Sequence, residues 1–146
     1  MRSNNRRLRL RAVLSGKECV YPASVFDPIS ARVAERLGFS VFMLAGSVAS
    51  WAILGALDKV VITLSELALL AKRIALASGQ PLLIDADHGY GNALNVARTV
   101  EELETAGVAG LTIEDTVLPT PYGKTGKAGL IPIEEGVGKM RAALSA

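Results

Sequence analysis

Acidic residues stand at the ends of two apolar segments that have the length of buried strands. Asp85 and Asp87 lie at the end of segment 82–86, and Glu114 directly follows segment 108–113. Because alternate residues of an extended chain point the same way, we expect the two aspartates on one side of their strand. Glu114 can reach the same region from the neighbouring strand, at the carboxyl end where parallel α/β folds place their active sites.

A divalent cation is the partner that such a group of carboxylates predicts. Neighbouring carboxylates repel one another unless a cation joins them or some are protonated. Oxygen ligands favour Mg²⁺, with Mn²⁺ as the alternative, and the single Cys19 and single His88 exclude thiolate clusters and multi-histidine zinc sites. Mg²⁺ keeps several waters, so we expect Asp85 to bind directly and Asp87 and Glu114 to bind through water. The structural alternative is that these acids cap helices or pair with lysine and arginine.

Three further features near the strand ends could take part in chemistry. Gly46 and Ser47 begin a helix directly after an apolar segment, and the backbone N–H groups of a helix start suit an anion such as a carboxylate. His88 could transfer a proton or serve as a hydrogen-bond partner. The G-Y-G run at 89–91 resembles part of a dinucleotide fingerprint, but Leu94 occupies the place of its third glycine, so that site is not predicted.

Strands and helices alternate along the sequence and must position these residues. Strands are predicted at 20–24, 40–45, 82–86 and 108–113; helices begin near 27, 47, 63 and 92, and a last one covers 133–144. This order indicates an α/β fold with a parallel sheet. Pattern alone favours an open doubly wound sheet, because four units are half of the eight in a (β/α)8 barrel. The acids at the strand ends weigh toward the barrel.

Amphipathic spacing predicts which faces of two helices are buried. The helix that begins near residue 27 is expected to turn four residues inward: Ile29, Val33, Ala34 and Leu37. A helix in the basic N-terminal segment is expected to do the same with Leu10, Val13 and Leu14.

Composition and charge exclude several classes of protein. The 146 residues fit one domain, half of them are hydrophobic, and no apolar run reaches the roughly 18 residues of a membrane-spanning helix. Five arginines and no acid lie in residues 1–11, whereas acids outnumber bases in the remainder, which argues against nucleic-acid binding by the body. We interpret 1–18 as a basic arm, with a transit peptide as the alternative, and 19–146 as the main domain. A cytoplasmic location is the default expectation.

Several stretches resemble the isocitrate lyase and phosphoenolpyruvate mutase superfamily, most closely its oxaloacetate decarboxylase branch. They cover nearly all of the chain after about residue 20: SVFDPISARVAERLGF, LAGSVAS, ITLSEL, DADHGYGNALNVARTVEELETAGVAGLTIED and EEGVGKMRAAL. The resemblance implies an α/β (β/α)8 TIM barrel of which about the first four β/α units are present. It also implies a bound Mg²⁺, a small α-keto acid substrate and a homo-oligomer, either a dimer or a tetramer, with no nucleic acid or membrane as partner.

The resemblance also implies roles for individual residues. Asp85 corresponds to the metal-binding aspartate, with Asp87 and Glu114 in the water-mediated shell of the metal. Asp58 matches an aspartate on a loop near the active site, and it is a candidate catalytic residue together with His88, which is a candidate because of its imidazole and not through the resemblance. Contacts with the substrate are expected from three consecutive residues, Ala45, Gly46 and Ser47.

Two differences from relatives bear on the reaction. Isocitrate-type lyases carry a K-K-C-G-H segment whose cysteine acts as an acid, and the corresponding loop at 119–127 has no cysteine. The phosphonate branch typically has an asparagine in this loop, and none occurs between Thr116 and Leu130. Both differences favour Mg²⁺-dependent decarboxylation of oxaloacetate to pyruvate and CO₂ through a metal-stabilised enolate. The alternatives are a phosphonomutase or carboxyphosphonoenolpyruvate mutase-like reaction, or another C–C or P–C bond lyase of the superfamily.

The number of strand–helix units raises one more alternative, from a different functional class. In the family, an arginine and a histidine that contact substrate carboxylates come from later strands, and neither has a counterpart in this sequence. We therefore expect either part of a longer enzyme or a half barrel that self-associates. A half barrel that only associates and has no activity is the alternative to an enzyme.

Overall fold

The computed structural model of the protein describes residues 2–123 and 129–146. Its elements follow in chain order: α1 Arg2–Leu14, β1 Ala23–Ser24, α2 Pro28–Arg36, β2 Phe42–Leu44, α3 Gly46–Leu54, α4 Leu64–Ala77, β3 Leu82–Asp85, α5 Ala93–Ala106, β4 Gly110–Thr112 and α6 Ile133–Ser145. The predicted alternation of strands and helices is confirmed. None of the helices in these ranges is long and apolar enough to span a membrane.

The strands of the described residues form one parallel sheet in the order β1-β2-β3-β4. Leu44 pairs with Ile84, and Asp85 pairs with Thr112. Successive parallel strands joined by right-handed crossovers place their helices on the same face of the sheet. A doubly wound sheet instead reverses its strand order at a switch point. The sequential order is therefore that of a (β/α)8 barrel, not that of the open sheet favoured by pattern alone.

Each strand is shorter than the apolar segment that predicted it. β1 keeps Ala23–Ser24 of the predicted 20–24, and β4 keeps Gly110–Thr112 of the predicted 108–113. In the described sheet these two strands pair on one side only. Residues that have no pairing residue on that single neighbouring strand are therefore not part of the strand. Val25 is fully buried, and its N–H still bonds to β2 at 3.0 Å, although it lies outside the assigned strand.

The core lies between the sheet and the helices α2, α4 and α5. α4 begins near the predicted residue with a capping box, in which Thr63 accepts a hydrogen bond from the Glu66 N–H and the Glu66 side chain accepts one from the Thr63 N–H. Buried side chains from strands and helices fill the core: Val25, Phe42, Leu44, Leu67, Ala71, Ile74, Leu82, Ile84 and Leu103. This packing fixes the carboxyl ends of β2 and β3, which carry several candidate site residues.

The apolar face predicted for α2 was wrong for its larger residues. Ile29, Val33 and Leu37 are exposed, whereas Ala31 and Ala34 are buried. α2 packs against α4. Small alanine side chains allow two helices to approach closely, and the rotation that turns them inward leaves the larger residues outside.

α1 contacts the body through Arg6 and Leu10. Leu10 is buried as expected, but Leu14 is 72% exposed, so the predicted apolar face was wrong at that residue. The buried guanidinium of Arg6 donates hydrogen bonds to the carbonyls of Ala75 and, at 2.9 Å, Ser78. These carbonyls end α4, and helix C-termini attract cations. The helix predicted for the basic segment is confirmed, and a domain division at residue 18 stays a prediction.

The segment 116–130 begins and ends in an antiparallel contact. Thr116 pairs with Leu130, and the N–H of Val117 donates to the carbonyl of Gly129 at 2.8 Å. Residues 124–128, which belong to the loop where branches of the superfamily differ, lie outside the described residues.

Candidate cation and substrate site

Three carboxylates converge on Gly46, the first residue of α3. A Cβ atom placed on this glycine would lie 2.8 Å from Oδ1 of Asp87, 3.4 Å from Oδ2 of Asp85 and 3.6 Å from Oδ2 of Asp58. These oxygens come from the end of β3, the turn after it and the loop after α3. The structure therefore brings four of the predicted site residues around one small space.

Asp85 and Asp87 reach this space through a turn and not through the alternation of an extended strand. β3 ends at Asp85, and Asp87 has a φ angle of 47°, in the left-handed region. The N–H of Asp87 donates to Oδ1 of Asp85 at 3.1 Å, and the N–H of Gly89 donates to the carbonyl of Ala86 at 2.9 Å. The expected meeting of the two acids is present, but the geometry expected to cause it was wrong.

Glu114 contacts the same turn through its backbone. Its N–H donates to the carbonyl of Asp87 at 2.7 Å, and its side chain is exposed. Its carboxylate also acts on Asp87 electrostatically, because it is one of the charges that raise the pKa of that carboxyl. Glu114 thus links the end of β4 to the aspartates, as the predicted strand order requires.

Burial and neighbouring charge keep Asp87 protonated to an unusually high pH. The residue is 4% exposed, and its burial, together with the smaller effects of Asp85, Asp58 and Glu114 in that order, raises the pKa of its carboxyl to about 7. Above this pH a buried carboxylate stands beside other anions. A divalent cation in this space would relieve the repulsion, because it supplies charge of the opposite sign.

The N-terminus of α3 lies at the same space. Ala45 is the N-cap residue, and in the described part of the chain no side chain caps this terminus. The N–H groups of a helix N-terminus carry partial positive charge, which favours carboxylates. Ser47, the second residue of α3, is exposed, so its hydroxyl can reach a ligand. The three predicted substrate-binding residues therefore lie beside the aspartates.

His88 has Tyr90 and Lys139 as its neighbours. The His88 and Tyr90 ring centroids lie 5.8 Å apart. Burial lowers the pKa of His88, as does the charge of Lys139, whereas Glu114 acts in the opposite direction, so the imidazole is neutral at pH 7. Burial raises the pKa of the Tyr90 hydroxyl far above its usual range. Within residues 2–123 and 129–146, neither Nδ1 of His88 nor the Tyr90 hydroxyl has a hydrogen-bond partner.

Two side chains that the sequence analysis missed bind the turn after β3. Oγ1 of Thr99, on α5, shares its one hydrogen between the carbonyl of Gly89 at 3.1 Å and the carbonyl of Asn95 at 2.9 Å. Nζ of Lys139, on α6, donates to the carbonyl of His88 at 3.1 Å, and Lys139 is 4% exposed. Nothing in the spacing of α6 marks Lys139, because a lysine on an amphipathic helix is ordinarily exposed.

The donor set fits a divalent cation that keeps much of its water. Among the residues described, no group of three or more His, Cys, Asp or Glu side chains is arranged to hold a metal ion by itself. Mg²⁺ commonly binds one or two carboxylates and retains several waters. The three side-chain atoms nearest to the space beside Gly46 are all carboxylate oxygens. Mg²⁺ or Mn²⁺ held partly through water is consistent with this arrangement.

Comparison with known proteins assigns the chain to a family. The profile of the phosphoenolpyruvate phosphomutase family matches residues 10–146. The chain belongs to this family. The oxaloacetate decarboxylase of Bradyrhizobium diazoefficiens is 61% identical over 145 residues, which make up 99% of this chain and 50% of that relative. The superfamily membership predicted from the sequence is confirmed.

Solved structures of relatives share the fold. Oxaloacetate acetylhydrolase in complex with 3,3-difluorooxalacetate is 32% identical and superposes with a TM-score of 0.86, over 99% of this chain and 49% of that one. Phosphonopyruvate hydrolase in complex with oxalate and Mg²⁺ is 29% identical, with a TM-score of 0.85, over 97% of this chain and 48% of that one. The predicted first half of a (β/α)8 barrel is confirmed. The chain spans about half the length of the relatives it matches.

Proposed function

We propose that this chain supplies the cation-binding half of a decarboxylase that converts oxaloacetate to pyruvate and CO₂ with Mg²⁺. The observation that carries the proposal is the convergence of Asp58, Asp85 and Asp87 on Gly46. A relative named oxaloacetate decarboxylase at 61% identity supports it. The ligands of two solved relatives, difluorooxalacetate and oxalate, are small dicarboxylates and support the same substrate class.

In this proposal Asp85 holds the cation directly, and Asp87 and Glu114 hold it through water. When bound, Mg²⁺ supplies the positive charge that stabilises the enolate left by loss of CO₂. The buried carboxyl of Asp87 contributes most when ionised, which its pKa of about 7 permits near neutral pH. Mn²⁺ takes the same oxygen ligands and should replace Mg²⁺.

The N-terminus of α3 is proposed to position the substrate. Backbone N–H groups at Ala45, Gly46 and Ser47, together with the Ser47 hydroxyl, are expected to bind one carboxylate of oxaloacetate. A fixed carboxylate orients the bond that breaks, and orientation of this kind lowers the barrier. Because Gly46 has no Cβ, the substrate and the aspartates can share the space beside it.

The two residues proposed as catalytic differ in their support. Asp58 contributes one of the three carboxylates beside Gly46, so it can act on a ligand or on ordered water there. His88 has its described contacts with Tyr90 and Lys139. Because its pKa is lowered, little of it carries the extra proton at neutral pH, so it has few protons to donate. We therefore propose that solvent delivers the proton that converts the enolate to pyruvate. Of the two residues, Asp58 is the one that can contact ordered water beside Gly46.

Pyruvate formation from oxaloacetate, with and without Mg²⁺, tests the proposal. A blank without protein subtracts the reaction of oxaloacetate with the cation in solution. Asp85→Asn is expected to remove the protein-dependent rate, and Asp115→Asn, which changes an exposed acid after β4, is the matched control. A folded chain with Asp85-dependent cation binding and no turnover would support the cation site and contradict turnover by this chain on its own. Turnover that survives Asp85→Asn would contradict the proposed site.

Assembly remains a prediction of the family resemblance, and location remains the default expectation stated from the sequence. A dimer or tetramer is expected, and sedimentation of the chain with and without Mg²⁺ measures it. A cytoplasmic location is likewise expected.

A further inference from the structure

Three consecutive carbonyl groups in the turn after β3 accept hydrogen bonds from three different elements. The donors are an N–H after β4, an ammonium group on α6 and a hydroxyl on α5. The pairs are Glu114 N to Asp87 O at 2.7 Å, Lys139 Nζ to His88 O at 3.1 Å, and Thr99 Oγ1 to Gly89 O at 3.1 Å. The turn that carries Asp87 is therefore held from several sides.

This turn has a backbone that requires such support. Asp87 and Tyr90 have φ angles of 47° and 62°, and both are residues with a Cβ in the left-handed region. Each such residue costs about 1 kcal/mol or more, and the conformation persists only where surrounding contacts hold it. Loss of one contact should let the turn relax and move the carboxylate of Asp87 away from Gly46.

Lys139 is the charged member of the three donors and the most unusual. Its side chain is 5% exposed, although it carries an ammonium group that is costly to remove from water. Its carboxylate neighbour, Glu135, lies 4.0 Å away and is about half exposed, so the pair is loose. The shorter contact of Nζ is the 3.1 Å bond to the carbonyl of His88. The buried ammonium group therefore has the turn, and not Glu135, as its closer partner.

We propose that Lys139 is a positioning residue for the cation site. By holding the carbonyl of His88, it keeps the turn in the conformation that directs the carboxylate of Asp87 toward Gly46. The inference rests on the proposed function, because it assumes that this carboxylate helps to hold a divalent cation. It extends that function to α6, a helix that contributes none of the carboxylates at Gly46.

Mn²⁺ binding measured by electron paramagnetic resonance tests the inference on the folded chain. Lys139→Met keeps the length and apolar stem of the side chain but removes the donor, and should weaken Mn²⁺ binding by about tenfold or more, as loss of partners behind metal ligands does. Lys139→Arg retains a donor and should restore most of the affinity. Lys72→Met, at an exposed position on α4, is the matched control and should bind Mn²⁺ like the unaltered chain.

Wild-type Mn²⁺ affinity in folded Lys139→Met would overturn the inference. If Lys139→Met does not fold, Lys139→Gln takes its place, since its shorter amide cannot span the same distance; wild-type affinity there would overturn the inference equally. A merely structural lysine would lower the unfolding free energy of these variants and leave the Mn²⁺ affinity of the folded chain unchanged.

Hydrogen exchange without any metal separates this inference from the proposed function. The N–H groups of Gly89 and Glu114 bond within the turn, so Lys139→Met should accelerate their exchange, whereas Lys72→Met should not. If the unaltered chain binds no Mn²⁺, or binds it equally after Asp85→Ala, the proposed cation site fails. If exchange at these two groups is unchanged by Lys139→Met, Lys139 does not hold the turn, whatever the outcome for the cation.

Discussion

The backbone N–H of Asp87 donates a 3.1 Å hydrogen bond to Oδ1 of Asp85, so the turn after β3 folds the second aspartate back toward the first. One of the two carboxyls is buried and has a pKa of about 7. When both carboxyls are ionised and no cation lies between them, their mutual repulsion destabilises the fold. The predictions below follow from that repulsion and from the contacts that maintain it.

The stability of the cation-free chain should fall as pH rises from about 4 to about 7. The folded-state pKa of Asp87, about 7, exceeds its ordinary value of 3.8, so between these values the folded state keeps a proton that the unfolded state has released. The resulting stabilisation is fully present below about pH 3.8 and is lost as pH rises through about 7. Urea unfolding in EDTA across this range measures it. Asp87→Asn should flatten the slope relative to Asp115→Asn, and equal slopes in the two variants would refute the prediction.

Mg²⁺ should stabilise the folded chain, and more strongly at pH 8 than at pH 6. A ligand at a hundred times its Kd adds about 2.7 kcal/mol to the unfolding free energy. Below about pH 7 the proton on Asp87 competes with the cation, which reduces the gain. Thermal unfolding with Mg²⁺, against K⁺ at matched ionic strength, checks this. The same Mg²⁺ effect in Asp85→Ala would count against the site.

Gly46→Ala should weaken cation binding while the chain stays folded. The new methyl group would lie 2.8 Å from Oδ1 of Asp87, too close for contact, so the carboxylate must move. The clash is with the end of a side chain, so the loss of stability should be small, and we expect Mn²⁺ affinity to fall on the order of tenfold. Gly138→Ala on α6 is the control, because its methyl group would meet no atom within 4 Å. Equal Mn²⁺ affinity in the two variants would exclude a cation beside Gly46.

Arg6→Met should destabilise the chain without affecting the cation site. Arg6 is buried and donates to the carbonyls of Ala75 and Ser78, and hydrogen bonds to charged groups contribute about 1.5–3 kcal/mol. The unfolding free energy should fall by a corresponding amount, seen as a lower urea midpoint, while the Mn²⁺ affinity of the folded chain stays constant. Arg9→Met, at an exposed position of α1, is the matched control. Similar midpoints for both variants would show that the buried arginine does not anchor α1.

Local signals in the sequence predicted most of the elements. The helices expected to begin near residues 63 and 92 do so, and the side chains of Thr63 and Asn92 cap them. The outward rotation of Ile29 on α2 could not be predicted, because it depends on how closely α2 packs against α4. Strand lengths depend on partners in the same way, since a ladder ends where its neighbour does.

The acids at the strand ends were predictable from position alone, but the support behind them was not. Asp58 was identified through the family resemblance, since nothing in its own loop indicated chemistry. The left-handed φ angle of Asp87 could not be assigned from the sequence, because aspartate visits that region but adopts it at only a small fraction of positions. Thr99 and Lys139 reach the turn from α5 and α6 through packing between distant segments, which periodicity does not reveal.

Mn²⁺ titration of the unaltered chain and of Asp85→Ala, read by electron paramagnetic resonance, measures whether the carboxylates beside Gly46 hold a cation. We predict that each chain binds one Mn²⁺, which Mg²⁺ displaces. Asp85→Ala should lower the Mn²⁺ affinity by more than the roughly tenfold to hundredfold that is typical when a residue behind a metal ligand is lost. Asp115→Ala should bind like the unaltered chain. Equal Mn²⁺ affinity in Asp85→Ala and Asp115→Ala would exclude Asp85 as a ligand of the cation.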